Sequence, residues 1–187
     1  MNFFSYIRNR ALNRALDQFL AEKRTVKLPN TQKIGSILVI LDESDKKIIK
    51  NIESSTKSLF NTSRCGFLIL CSQMSDNILQ SDLYNEITPK DFGFMNVLKP
   101  EKHEYIRKLA FSNMIVNMAT KHVDISDYIC TLPKSDFRVC FQKSDHIQIY
   151  DLVIENSKEA DPVSNIHVLR NYLEALYGPQ NQNQQYQ

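Results

Sequence analysis

IGSILVIL at Ile34–Leu41 and CGFLILC at Cys65–Cys71 are the stretches on which the fold class turns. Side chains in a strand alternate between its two faces, so a nearly unbroken apolar run predicts a strand covered on both sides, the habit of parallel sheets. Between the runs, Ile48, Ile49, Ile52, Leu59 and Phe60 give a helix its apolar face, with Asp45 placed to cap it. Strand, amphipathic helix and strand in sequence make a βαβ unit, whose crossover is expected to be right-handed.

Downstream, residues 72 to 91 read as polar and irregular, and Phe92 to Leu98 as a short third strand, with Gly93 permitting a bulge. Pro100 opens a short helix through Ile106 and Leu109. MIVNMA at Met114–Ala119 is the next strand, Val123 to Leu132 a helix stopped by Pro133, and FRVCF at Phe137–Phe141 a further strand. Between His146 and Glu155, Ile147, Ile149, Leu152 and Ile154 alternate with polar partners, which predicts a half-exposed edge strand with an antiparallel pairing. Asp161 and Pro162 open a last helix striped by Ile166, Leu169, Leu173 and Leu176, and Gly178-Pro179 ends it. The expectation is an α/β fold: a mainly parallel, Rossmann-like three-layer sheet. Ile37 to Leu41, Cys65 to Leu70 and Met114 to Met118 are its adjacent central strands.

Upstream, residues 2 to 24 read as an amphipathic helix through Phe4, Ile7, Ala11, Ala15 and Phe19, with Leu12 and Leu16 widening the stripe and Arg8 interrupting it. Thr25 to Lys33, with Pro29, is a linker, residues 34–178 a single domain, and the Gln- and Asn-rich residues 179–187 a disordered tail. Residues 1 to 33 hold seven Lys or Arg against Asp17 and Glu22, a local charge of +5, so the remainder of this +2 chain is at −3. A basic N-terminal helix, with Arg8, Arg10 and Arg14, on a mildly acidic body points to association with a protein or anionic partner. That helix is expected to serve association more than the core, although docking on the domain is the commonest fate of such an apolar stripe.

The chain has 187 residues, 42% hydrophobic and 24% charged, which suits one globular domain. The small net charge and the lack of aromatics among the basic residues weigh against nucleic acid. Peripheral membrane contact through Phe3, Phe4 and Ile7 is weakened by Arg8. No secretory signal and no run of about 18 apolar residues occurs, so the cytoplasm is the expected compartment. Cys65, Cys71, Cys130 and Cys140 form no CxxC pair and are expected to be free, mostly buried thiols.

The four glycines, Gly35, Gly66, Gly93 and Gly178, form neither GxGxxG nor a Walker loop, and no GxSxG occurs. Asp42, Glu43 and Asp45 resemble the acidic pocket of a receiver domain, but no aspartate ends a later central strand, so a capped turn is the better reading. His103, His122, His146 and His167 fall outside ligand spacing, and neither metal nor cofactor is expected. In open α/β sheets ligands bind beyond the carboxyl ends of the strands, where strand order reverses. Asp42, Ser44, Asn117, Thr120, Lys121, His122 and Asp124 are therefore the candidate ligand-binding residues, against the alternative of an ordinary polar loop.

The segment MIVNMATKHVDISDYICTLPKSDFRVCF at residues 114–141 resembles the strand–helix–strand signature of a bacterial family of small proteins of unknown function. That family also has a basic N-terminal helix followed by a buried strand; the resemblance implies the fold and brings no activity. The segment is also distantly similar to the N-terminal half of heptosyltransferase-like glycosyltransferases. Ser135 to Phe141 matches there with Arg138, while Cys140 stands where glycine is usual. The chain has no room for the second domain that holds the sugar nucleotide. Two functional readings follow: a non-catalytic binding or adaptor module, or a small enzyme or nucleotide-sugar-binding domain with its site at the strand ends.

Overall fold

The computed structural model describes residues 3–22, 25–29, 34–72, 84–93, 97–109, 112–142, 144–155 and 161–178. Its strands are β1 (Ser36–Asp42), β2 (Arg64–Leu70), β3 (Tyr84–Ile87), β4 (Ser112–Asn117), β5 (Ser135–Cys140) and β6 (Leu152–Val153). Its helices are α1 (Phe3–Ala21), α2 (Ile49–Phe60), α3 (Pro100–Lys108), α4 (Val123–Thr131) and α5 (Pro162–Tyr177). The sheet order is β3-β2-β1-β4-β5-β6, with every pairing parallel.

β1 sits at the centre, in register from Ser36 opposite Arg64 to Asp42 opposite Leu70 on one edge, and from Ile37 opposite Met114 to Ile40 opposite Asn117 on the other. All seven of its residues are buried, as its apolar run predicts. Ile37, Val39 and Leu41 face a layer formed by Ile49, Ile52 and Phe60 of α2 and Ile166, Leu169 and Leu173 of α5. Leu38 and Ile40 face Leu12 and Leu16 of α1, Ile106 of α3 and Ile129 of α4. The two faces follow from handedness. The chain crosses leftward through α2 and rightward through α4, so crossovers of one hand put those helices on opposite sides.

Helix ends use local chemistry. Asp161 accepts hydrogen bonds from the Val163 and Ser164 amides (2.9 and 3.2 Å), as its N-cap role predicts. Asn61 ends α2 in the left-handed region (φ 47°), a conformation asparagine tolerates better than most residues. At Gly35 a Cβ would stand 2.8 Å from Asn113 Oδ1, which accepts from the Ser36 amide at 3.1 Å. Glycine there lets β4's side chain fasten the start of β1.

Several expectations are corrected. The edge strand is the two-residue β6, and it runs parallel to β5. Its neighbours Ile147 and Ile149 form a 3₁₀ turn, so the alternation read there is not that of a strand. The third strand is Tyr84–Ile87, inside the stretch read as irregular, whereas Phe92 and Leu98 form an isolated antiparallel bridge. Asp45 caps nothing: it lies within a 3₁₀ turn, Glu43–Ile48, that precedes α2. Leu176 stays exposed on α5. The tail at 179–187 and linker residues 30–33 lie outside the described residues.

The N-terminal helix packs on the domain through its apolar stripe. Leu12 and Leu16 are buried under the sheet, and the Lys27 amide ties the connector to Asp136 O at 3.1 Å. Leu16 is wholly buried, so Leu16→Ala should cost about 2–5 kcal/mol through lost transfer energy and a cavity. Deleting residues 1–21 should abolish the cooperative transition in circular-dichroism melting. A truncated chain that melts cooperatively near the intact protein's temperature would return α1 to the role of an arm.

Candidate functional site

The order β3-β2-β1-β4-β5-β6 reverses between β1 and β4, and the carboxyl ends of these two strands mark the switch point of a doubly wound sheet. Asp42 closes β1 there. Its Oδ2 accepts from the Thr120 amide (2.7 Å), Thr120 Oγ1 (2.9 Å) and the Lys121 amide (3.2 Å), all in the loop after β4. One carboxylate oxygen thus latches the two loops together, using the backbone N–H groups that this fold commonly offers to a phosphate. The residue is 2% exposed, and its Oδ1 has no hydrogen-bond partner among the described residues.

Flanking groups reinforce the negative character. Burial and then the Asp42 charge push the Asp45 carboxyl above its usual range, against the opposing effect of Lys121. Glu43 Oε2 accepts from the Ser72 amide at 3.0 Å, joining the ends of β1 and β2. Ser72 Oγ in turn shares a hydrogen bond of 3.1 Å with His122 Nε2, which spans the mouth from β2 to the β4 loop.

The sequence-predicted residues therefore separate into three groups. Asp42, Thr120 and Lys121 meet in the latch, and His122 joins them through Ser72. Ser44 and Asp124 are exposed on their turns, Ser44 with a hydrogen bond to Asp45. Asn117 is withdrawn altogether: it is fully buried and donates through Nδ2 to Ser126 Oγ (2.9 Å) and Tyr150 Oη (2.7 Å). Of the partner-binding arginines, Arg14 is exposed on α1, while the side chains of Arg8 and Arg10 lie outside the described set. Among the described residues no group of three His, Cys, Asp or Glu side chains is arranged to hold a metal ion.

Asn117 opens a buried polar network that composition did not reveal. Tyr150 Oη donates to Asp127 Oδ1 at 2.5 Å, Ser144 Oγ donates to Asp127 Oδ2, and the His146 amide donates to Ser144 Oγ at 2.8 Å. Burial pushes the Asp127 carboxyl up, while the hydrogen bonds from Ser144 and Tyr150 hold it down. The network anchors the chain after β5 beneath α4. A sequence signal was present in the polar pair Ser126-Asp127 inside an otherwise apolar helix face, but its partners lie 17 and 23 residues away.

The four cysteines are free, and only Cys65 is not buried. Burial pushes the Cys65 thiol up to about 12 and the Cys140 thiol up to about 11. Thiolate chemistry at neutral pH therefore has no support at these positions.

Two substitutions probe this region. Asp42→Ala should destabilise the fold by about 1–3 kcal/mol, because two backbone amides lose their charged acceptor. Tyr150→Phe should cost a similar amount, about 1–3 kcal/mol, by stripping Asp127 of a donor and Asn117 of an acceptor. The second effect carries a pH signature. A carboxyl raised above 3.8 in the folded state contributes stability that is full below that value and lost as pH rises through the folded one. Removing the Tyr150 hydroxyl raises the folded value further, so the variant's deficit should be larger at neutral pH than in acid. Urea melts across the acid-to-neutral range measure this, and a pH-independent deficit would contradict it.

Among the described residues no helix is long and apolar enough to cross a membrane. No curated protein matches the chain. No solved structure matches it either. A family model does match, over residues 8–176, and on that span the chain belongs to the family of unknown function DUF6913.

Proposed function

We propose that the chain is a non-catalytic binding module, acting through surfaces other than the nucleotide crevice of its fold. The observation that carries this reading is the Asp42 latch. A dinucleotide or nucleotide sugar would bring its pyrophosphate to the switch point, where its charge would meet Asp42, Glu43 and Asp45 and its donors would already be engaged. No glycine turn precedes α2 to let a phosphate approach the backbone. The outward face of α1, bearing Arg14, remains open to a protein or anionic partner, and the cytoplasm is the compartment that suits four free thiols.

A second reading has one observation of its own. The Ser72 Oγ–His122 Nε2 hydrogen bond pairs a hydroxyl with a base at the strand ends, as a small hydrolytic enzyme requires. Among the described residues no carboxylate accepts from the other ring nitrogen, so the imidazole lacks the third group that would orient it. The non-catalytic reading therefore stands ahead.

The two are separated by one pair of measurements. A thermal-shift screen of the full chain against nucleotides and nucleotide sugars should give no stabilisation. A true ligand at 100 times its dissociation constant would add about 2.7 kcal/mol. Treatment with a fluorophosphonate probe should leave Ser72 unlabelled by mass spectrometry. A stoichiometric adduct on Ser72 that disappears in His122→Ala would replace the binding module with a hydrolase.

A further inference from the structure

Arg138 is the least expected residue in the core. It lies on β5 opposite Ile115 of β4, on the face that carries α1 and α4, and is 2% exposed. Arginine does not lose its proton in a protein, so a full positive charge is buried here. Its compensation is partial. Nε donates to Cys130 O at 2.9 Å and Nη2 to Pro133 O at 3.0 Å, carbonyls at the C-terminal end of α4 where the helix dipole favours a cation. The guanidinium also stands over the Phe19 ring, 4.9 Å from its centroid. Among the described residues no carboxylate pairs with it, and Nη1 has no hydrogen-bond partner.

Arg138 lines a cleft of about 680 Å³ between α1, α3 and the end of α4, toward the amino edge of the sheet. The volume is that of a small-molecule site. Arg107 and Lys134 add cations to its lining, where Glu22 is the only carboxylate among the described lining residues. Arg107 also pairs with the exposed Glu104 at 3.2 Å, which leaves Arg138 and Lys134 as the cations on this wall without an acid partner among the described residues. Phe19, Val97 and Leu132 supply apolar surface beside them.

From this combination we infer that the cleft binds a small organic carboxylate with an aromatic or branched apolar body. The carboxylate pairs with the Arg138 guanidinium, whose Nη1 is closed to solvent in the unliganded chain and turns toward the cleft on binding, and it takes up the charge that α4 and Phe19 only partly balance. The apolar body lies against Phe19, Val97 and Leu132. A single unpaired guanidinium nitrogen among apolar groups suits a monoanion, whereas a phosphate calls for several converging donors. This site lies at the opposite edge of the sheet from the Asp42 latch, so it goes beyond the reading of the strand ends and fails independently of it.

Ligand-observed NMR and calorimetry with phenylacetate and indole-3-acetate test the site on the full chain, with phenylacetamide and inorganic phosphate as comparisons. Either acid should bind, and phenylacetamide should bind at least about tenfold more weakly than phenylacetate, the loss expected for one charge-assisted hydrogen bond. Arg138→Gln should abolish binding. Because that variant also loses a contact to α4 and could fail to fold, Lys134→Glu on the exposed rim is the second test. It should stay folded and weaken both acids severalfold. Equal binding of acid and amide, equal or tighter binding of phosphate, no binding by either acid, or unchanged affinity in folded Lys134→Glu would each overturn the assignment.

Discussion

A strand with parallel neighbours on both edges and packed layers on both faces has no surface left for water, and β1 is in that position from Ile37 to Ile40. Every backbone group of such a strand is satisfied by the ladder, and every side chain must be apolar or find its own partner. Both requirements propagate. The parallel neighbours cannot be reached by tight turns, so each needs a crossover, and the crossovers become the helical layers. The apolar faces of α2, α4 and α5 are thus counterparts of the alternation Ile37, Val39, Leu41 against Leu38, Ile40. Even α1, which precedes the sheet in sequence, is drawn in because Leu38 and Ile40 expose a strip that α4 and α3 do not cover alone.

This constraint explains which elements were legible in the sequence. β1, β2 and β4 are buried on both sides, so their runs carry an unambiguous signal, and their adjacency followed. β3 could not be read in the same way. Tyr84, Asn85 and Glu86 are only partly buried and Ile87 alone is closed off, so an edge strand of four residues looks like loop. β6 has two residues, and the apolar alternation around it belongs partly to a 3₁₀ turn. How far α1 belongs to the core could not be read for another reason. Charge and a following linker are visible in sequence, whereas the strip that Leu12 and Leu16 cover exists only once the sheet is assembled.

The candidate site was legible in place and not in detail. Strand ends at a switch point can be named from the βαβ pattern, and Asp42, Thr120, Lys121 and His122 do gather there. That Asp42 would be consumed by the Thr120 and Lys121 amides depends on contacts 78 and 79 residues apart, beyond any local pattern. Asn117 was named for its polarity, but its position inside β4 aims it beneath α4. Ser126 and Tyr150 use it there for packing order. Arg138 had a visible signal, a lone charge within FRVCF, yet the carbonyls and the aromatic ring that surround it come from α4 and α1.

Asp42 and Arg138 together show how this fold disposes of backbone groups that its ladder does not satisfy. At the carboxyl edge the unpaired groups are amides of the β4 loop, and a carboxylate takes them. At the amino edge they are carbonyls at the end of α4, and a guanidinium takes them. Each ion matches the sign of the peptide dipoles it meets, and each retains one atom without a partner among the described residues, Asp42 Oδ1 and Arg138 Nη1. Their surroundings then diverge. Asp42 is hemmed by Asp45 and Glu43 with its loops latched over it, so its own charge repels the anions that doubly wound sheets usually bind there. Arg138 borders open volume with Lys134 and an aromatic face beside it. The electrostatics of the sheet are therefore inverted relative to a nucleotide-binding domain: the carboxyl edge is closed by negative charge, and the attraction for an anion lies at the opposite edge, under α1.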